Sequence, residues 1–262
     1  MKIYKYHFTE KESDITLISE SRKAILAAKK GFFRDRRILE NYINVHNEFL
    51  TSFSPIEIHS NERIINLMAN GAQLCDVGPM ATVAGAFADL MLEEMKIKSE
   101  LSPTPAKVAL IENGGEIAID SEKAMKIALY AGYNRLNLNI GFLIEKKDCP
   151  IGIASSSAKI GHAVSLGQSD VVTIFAKNAT IADGAATKIG NFVKGIDIEK
   201  SIKDALDKAE DIDGVIGAFI CRNDKIGYSG KIPKIFKITG DKDKILKEKI
   251  TSSSSEGFEI IK

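Results

Sequence analysis

Apolar and polar positions alternate at the start of the chain and change to helical spacing within about two dozen residues. Over residues 2–19 the alternation reads as two short strands around a polar turn at 10–14, with Ile15 and Leu17 on one strand face. From 21 to 53 the apolar residues Ile25, Leu26, Ile38, Leu39, Tyr42, Ile43, Phe49 and Leu50 recur at helical spacing, and Gly31 between them predicts two helices. Asn61 is placed to cap a helix carrying Ile64, Ile65, Leu67 and Met68, which Gly71 is expected to end. A helix of small residues follows from Pro79.

The second half changes period. Residues 107–112 and 116–119 read as strands joined by the tight turn Asn113-Gly114-Gly115, and 136–144, 151–154 and 170–175 as further strands. Helices are expected at 180–193 and 197–209, then a hairpin over 215–228 around Arg222-Asn223-Asp224. Strands come as hairpins more often than as strand-helix-strand units, so the fold class is α+β rather than doubly wound. We expect one domain over 1–262, in which two interleaved lobes sharing a cleft are a live choice; the serine run makes 252–262 a loop or frayed tail.

Composition narrows the function classes. Lys and Arg number 36 against 35 Asp and Glu, a net charge of +1, which argues against a protein built for non-specific attraction to nucleic acid. With 44% hydrophobic and 27% charged residues and only 6 prolines, the chain is globular rather than disordered. Cys75, Cys149 and Cys221 lie far apart, indicating neither a disulfide framework nor a structural zinc site. The first twenty residues lack a secretory h-region, and the most apolar stretch, 80–91, is too short to span a bilayer. No membrane partner and a reducing, cytoplasmic location are the expectations.

Four segments could carry chemistry. In 170–191 a strand runs straight into a helix on which Asp183, Thr187 and Asn191 share one face at four-residue spacing. A carboxylate and a hydroxyl are hard ligands that suit Mg²⁺ or Ca²⁺ when waters and substrate phosphates complete the shell. The bland alternative is a carboxylate at a helix N-terminus and a hydroxyl bonded back to a carbonyl. Gly184, Ala185 and Ala186 add little bulk, which would let a ligand approach the helix backbone. In Asn113-Gly114-Gly115-Glu116 two glycines allow positive φ or close ligand approach, and an ordinary hairpin needs no more than the former. The stretch 152–167 is dense in hydroxyls and glycines, with Ser155, Ser156 and His162 able to donate to a phosphate or heterocycle; a surface loop is the other reading. Finally, Gly78-Pro79 begins a helix whose N-terminus could receive an anion, and whose small face at Ala81, Ala84, Gly85 and Ala88 also suits close helix packing. The basic run Arg34-Asp35-Arg36-Arg37 is either a solvated face or a phosphate- or partner-binding patch.

Taken in order, Glu112-Asn113-Gly114-Gly115-Glu116-Ile117, then Gly152-Ile153-Ala154-Ser155-Ser156, then Ala182-Asp183-Gly184-Ala185-Ala186-Thr187 resemble the ApbE superfamily, flavin transferases that move FMN from FAD onto a protein threonine. The resemblance covers roughly 75–230 and is strongest to a short, uncharacterised cytoplasmic branch. It implies an ApbE-like arrangement of mixed or antiparallel sheets with packed helices forming two lobes around a cleft. It also implies Asp183 and Thr187 as metal ligands, Gly114, Gly115 and Glu116 as a flavin-side turn, and Ser155 and Ser156 as an adenine-side loop; His162, able to act as acid, base or hydrogen-bond donor, is the candidate catalytic residue beside them. Mg²⁺ (or Ca²⁺) and FAD or a related nucleotide are the implied cofactors, with a phosphate-containing small molecule and an acceptor protein as partners. Where a typical transferase carries an aspartate-proline segment, this chain has Gly161-His162-Ala163-Val164-Ser165. Two rival functions follow: a sulfur (sulfide) assimilation factor using Cys75 as a thiolate activated by the helix start beside it, and a non-catalytic ligand- or partner-binding protein on the same scaffold.

Overall fold

The computed structural model describes residues 1–132, 134–157, 167–223, 225–239 and 258–261. A hairpin of β1 (Ile3–Glu10) and β2 (Ser13–Ser19) opens the chain, and Ser21, whose hydroxyl accepts from the Ala24 N–H, caps the long helix α1 (Arg22–Val45). A short α2 (Asn47–Thr51) and α3 (Arg63–Cys75) follow, then a 3₁₀ turn at Pro79–Thr82 that runs into α4 (Val83–Lys96). The second half supplies β3 (Val108–Asn113), β4 (Glu116–Ser121), β5 (Met125–Ala128), β6 (Ile140–Ile144), β7 (Ile151–Ser156) and β8 (Val171–Ala176). After these come α5 (Ala179–Phe192), α6 (Ile198–Glu210), β9 (Val215–Arg222), β10 (Lys225–Gly230), β11 (Lys234–Lys237) and β12 (Glu259–Ile261).

Nine strands form one sheet in the order β10-β9-β8-β7-β4-β3-β2-β1-β12, and β11-β6-β5 form a second. Every pairing between described strands is antiparallel, as the α+β reading requires. Strand alternation sorts the central residues between two cores. Ala109, Ile111 and Ala118 point into a cluster with α1, α3 and α4, and Ala154, Val172, Ile174, Ala218 and Ile220 into one with α5 and α6. Leu110, Ile117, Ile119, Ile153, Val171, Phe175 and Phe219 face the opposite way and pack with Phe142 and Ile144 of the second sheet. The molecule is thus three layers: helices, large sheet, small sheet. Among the described residues no single helix is long and apolar enough to cross a membrane.

Several expectations are corrected. α1 runs unbroken through Gly31, where a Cβ would meet the Glu94 side chain at 2.8 Å, so this glycine admits a crossing helix instead of ending its own. α3 likewise continues past Gly71, where a Cβ would lie 2.6 Å from Thr180. Neither glycine is a breaker because neighbouring helices supply the contacts that their missing side chains leave room for. Glu62, not Asn61, is the N-cap residue of α3. Residues 259–261 are no frayed tail but an edge strand paired with Ile3–Lys5, while the serine run at 252–255 lies outside the described residues. Strands β5 and β11 had no counterpart in the sequence pattern, and 136–139 is turn, not strand.

Candidate functional site

One cavity of about 1460 Å³ brings together every candidate cofactor and metal residue proposed from sequence: Gly114, Gly115, Glu116, Ser155, Ser156, Asp183 and Thr187. Its apolar part lies between the sheets, lined by Leu110, Ile127, Leu129, Phe142, Ile153 and Val171. From there it passes the β3–β4 turn and reaches the start of α4, where Met80 and Ala84 border it, and the β2–α1 end at Ser13 and Arg36. The seven residues arrive from a hairpin turn, a strand end and a helix, three segments far apart in sequence. His162 lies outside the described residues.

The hairpin turn requires its glycines. Gly114 and Gly115 have φ of 69° and 124°, in the left-handed region that strains a side chain, and β3 and β4 pair up to Asn113 and Glu116 on either side. Buried Asn113 donates from Nδ2 to the Ala84 carbonyl, which ties the turn to the first turn of α4. On the neighbouring strands Ser155 and Thr173 are cross-strand partners with hydroxyls 2.8 Å apart. Gly152, earlier on the same strand as Ser155, is a contact glycine: a Cβ there would lie 2.0 Å from the Asn178 carbonyl carbon, so β7 can run beneath the start of α5 only without a side chain.

α4 and α5 begin side by side and run in opposite directions, and each caps the other. The Asp183 carboxylate, one turn into α5, accepts from the Gly85 N–H at 3.0 Å and from the Ala84 N–H. Asp89, in the second turn of α4, accepts from the N–H groups of Ala179 and Thr180, each at 2.8 Å, and from the Thr180 hydroxyl at 2.5 Å. Gly85 permits the approach, since a Cβ would lie 2.2 Å from the Ala179 carbonyl oxygen. Desolvation pushes the Asp183 carboxyl up to about 7 against the pull of the Gly85 and Ala84 amides, and the nearby Asp89 adds to the rise. Asp89 is pushed up to about 6, again chiefly by burial, with the Thr180 hydroxyl and the Ala179 and Thr180 amides opposing.

This junction changes three expectations. The helix start expected at Pro79 is a 3₁₀ turn, and α4 proper begins at Val83, where the amides of Ala84 and Gly85 are occupied by the protein's own carboxylate. Gly184 makes room for protein, a Cβ there lying 3.0 Å from both the Cys75 Sγ and the Thr82 Cγ2, so it is Ala186 and not Gly184 that lines the cavity. Cys75 ends α3 rather than preceding a helix, is 0% exposed, and has its thiol pushed up to about 12 by burial and by Asp183, with Lys188 opposing. That is the reverse of thiolate activation. In the basic run Arg34 bonds Asp35 and Glu94, and Arg36, at the cavity border, bonds Glu40 and Glu12.

The sequence pattern assigns no role to Asp89, and it marks Asn113 only as a turn residue. The signal for Asp89 was there, the one charged residue in the apolar stretch 80–91. The apolar wall of Leu129, Phe142 and Val171 carried no such mark, because only the packing of two sheets brings it together.

Solved structures of the same architecture define the class. An ApbE protein of Thermotoga maritima superposes with a TM-score of 0.52 at 14% identity, covering 83% of this chain and 94% of that one. The flavinyl transferase ApbE of Pseudomonas stutzeri, in its apo form, gives 0.52 at 13%, covering 90% and 95%. The fold is therefore that of ApbE proteins. A family model described as AbpE bacteria matches residues 2–218, and the chain belongs to that family. A UPF0280 protein of Methanococcus maripaludis is 41% identical over 249 residues, 94% of this chain and 97% of that protein.

Proposed function

We propose that this protein binds a flavin- or nucleotide-type phosphate ligand in the cavity between its sheets and acts as an FMN transferase of the ApbE kind. The observation that carries the reading is the convergence of the hairpin turn, the hydroxyl-bearing strand end and the Asp183–Thr187 helix face on one space. Its volume exceeds the range of about 300–1,000 Å³ common for small-molecule sites, ample for a dinucleotide. Flat apolar walls between the sheets suit a heterocycle, and the polar rim suits a diphosphate.

The donor chemistry fits a hard cation. Asp183 offers a carboxylate with lone-pair sites beyond those the two amides use, Thr187 a hydroxyl one turn on, and both border the cavity. Among the described residues no cluster of three His, Cys, Asp or Glu is present, so a cation held by Asp183 and Thr187 would need phosphate oxygens and water to complete its shell. Bound there, Mg²⁺ would offset the charge of the pyrophosphate. The chain's own part is to orient the ligand: Gly114 and Gly115 let the turn approach it, Glu116, Ser155 and Ser156 hydrogen-bond it, and His162 takes the proton of an incoming acceptor hydroxyl as AMP leaves.

Isothermal titration with FAD tests the reading, run with Mg²⁺, with EDTA and with Asp183→Ala. Metal-dependent binding lost in the variant supports it; absence of binding in all conditions overturns it. Product analysis with a threonine-containing acceptor peptide separates transferase from binder: FMN bonded covalently to the peptide with AMP released by wild type and not by His162→Ala supports transfer, free FMN with AMP indicates hydrolysis of FAD instead, and binding with no cleavage supports the non-catalytic reading. Nothing at Cys75 favours the sulfur-carrier alternative, given the burial of its thiol.

A further inference from the structure

We infer that Asp89, which does not border the cavity, is the positioning residue that sets Asp183 and Thr187 in place; what those two residues do rests on the ligand reading above. Asp89 is 8% exposed and lies in an otherwise apolar helix segment. A carboxylate in such a place is costly to strip of water unless its acceptors are used. Here they are: Oδ1 takes the Ala179 N–H, and Oδ2 takes both the N–H and the hydroxyl of Thr180. Asn178 Oδ1 takes the Ile181 N–H. The first three amides of α5 are thereby consumed by side chains, and two of the three by Asp89 from another helix.

The geometric consequence falls on the site. Two bonds from one rigid carboxylate to successive amides fix both the height and the rotation of α5 relative to α4. Asp183 is one turn along α5 and Thr187 two, so their positions over the cavity follow from that anchoring. Asp183 closes the loop by holding the α4 amides, and Gly85 removes the bulk that would separate the helices. Both helix N-termini are filled by protein carboxylates. Ligand phosphate is therefore met at this junction by the side chains of Asp183 and Thr187, and the precision of that pair depends on Asp89.

The test compares Asp89→Asn with Asp35→Asn, a second buried aspartate (5% exposed) that does not border the cavity and pairs with Arg34 on α1. In the first variant an amide donor replaces an acceptor opposite an N–H. Three quantities are read: the thermal midpoint, amide hydrogen exchange over 179–187, and FAD affinity with Mg²⁺ and with EDTA. We expect Asp89→Asn to speed exchange over 179–187 and to weaken Mg²⁺-dependent FAD binding by about tenfold or more, with binding in EDTA within about twofold. Asp35→Asn should lower the midpoint without either change. Unchanged exchange together with an unchanged Mg²⁺ dependence overturns the inference, as does an equal loss with and without Mg²⁺ that tracks the midpoint in both variants. Should wild type bind no FAD in either buffer, the ligand reading fails, and exchange alone decides the positioning role: local loosening in Asp89→Asn supports it and none overturns it. If Asp89→Asn does not fold, Asp89→Glu, which keeps the carboxylate but moves it off the Ala179 and Thr180 amides by one methylene, takes its place, and wild-type exchange together with wild-type Mg²⁺ dependence in that variant overturns the inference.

Discussion

The two faces of the large sheet pack differently. Toward the helices the central strands intersperse the alanines Ala109, Ala118, Ala154 and Ala218 among Ile111, Val172, Ile174 and Ile220, and the helices carry glycines where they cross one another and the sheet. Toward the small sheet they present Leu110, Ile117, Ile153 and Val171, yet this is the face with the cavity. Small side chains bring backbones close and leave no room, whereas two sheets held apart by large side chains enclose a slot that the side chains do not fill. The candidate site lies where the two regimes meet, at the strand ends between the open slot and the closed α4–α5 junction.

The contrast can be broken most severely on the closed side. Gly152→Ala would set a Cβ 2.0 Å from the Asn178 backbone, which cannot yield without shifting the start of α5. We expect destabilisation beyond about 4 kcal/mol or failure to fold, read by urea denaturation. A near-neutral result would mean that the helix face is far more plastic than its packing indicates.

A sharper comparison uses adjacent residues of β3 that face opposite ways. Ile111→Ala, at 0% exposure against the helices, should cost roughly 2–5 kcal/mol. Leu110→Ala, at 5% exposure against a space already present, should cost about 1 kcal/mol less, since fewer contacts are there to lose. Equal losses in chemical denaturation would argue that the slot is closed in solution.

The junction also predicts a pH dependence. Asp183 and Asp89 hold protons up to about 7 and about 6 when folded and to the ordinary 3.8 when unfolded, so the folded chain binds more protons between those values. Their contribution to stability is greatest below 3.8 and is lost as pH rises through 6 to 7. A tenfold difference in proton affinity between the folded and unfolded chain is worth about 1.4 kcal/mol. In chelator-containing buffer the stability of wild type relative to Asp183→Asn should therefore fall from the acid to the alkaline side of the two folded values. A difference that is flat or rises would show that the amides of Ala84 and Gly85, not burial, control this carboxyl. The smallest expected effect is at Cys75, where native protein should resist iodoacetamide near neutral pH; rapid labelling detected by mass spectrometry would restore the thiolate reading.

Much of this architecture could be read along the chain. The opening hairpin, the helices carried by Ile64 and Ile202, and the strands around Ile111, Ile153 and Ile174 follow from periodicity, because burial of one face imposes a period of about 2.0 or 3.6 on apolar positions. Gly31 and Gly71 misled because a glycine that ends a helix and one that admits a neighbour look alike until the neighbour is known. β12 was beyond reach for a similar reason: its pairing with β1 joins the two ends of the chain.

For the site, the ordered motifs named Gly114, Gly115, Glu116, Ser155, Ser156, Asp183 and Thr187, and local chemistry alone marked the first two as turn residues and Asp183 as a helix-face carboxylate. That these seven border one space was decided by tertiary structure, since strand order places β3, β4, β7 and β8 side by side and α5 crosses their ends. Tertiary structure alone also gave Asp89 and Asp183 their partners, since those amides lie some ninety to a hundred residues away along the chain. Amino-acid spacing sets which face of an element a side chain occupies; what that face meets depends on contacts whose sequence separation no local pattern encodes.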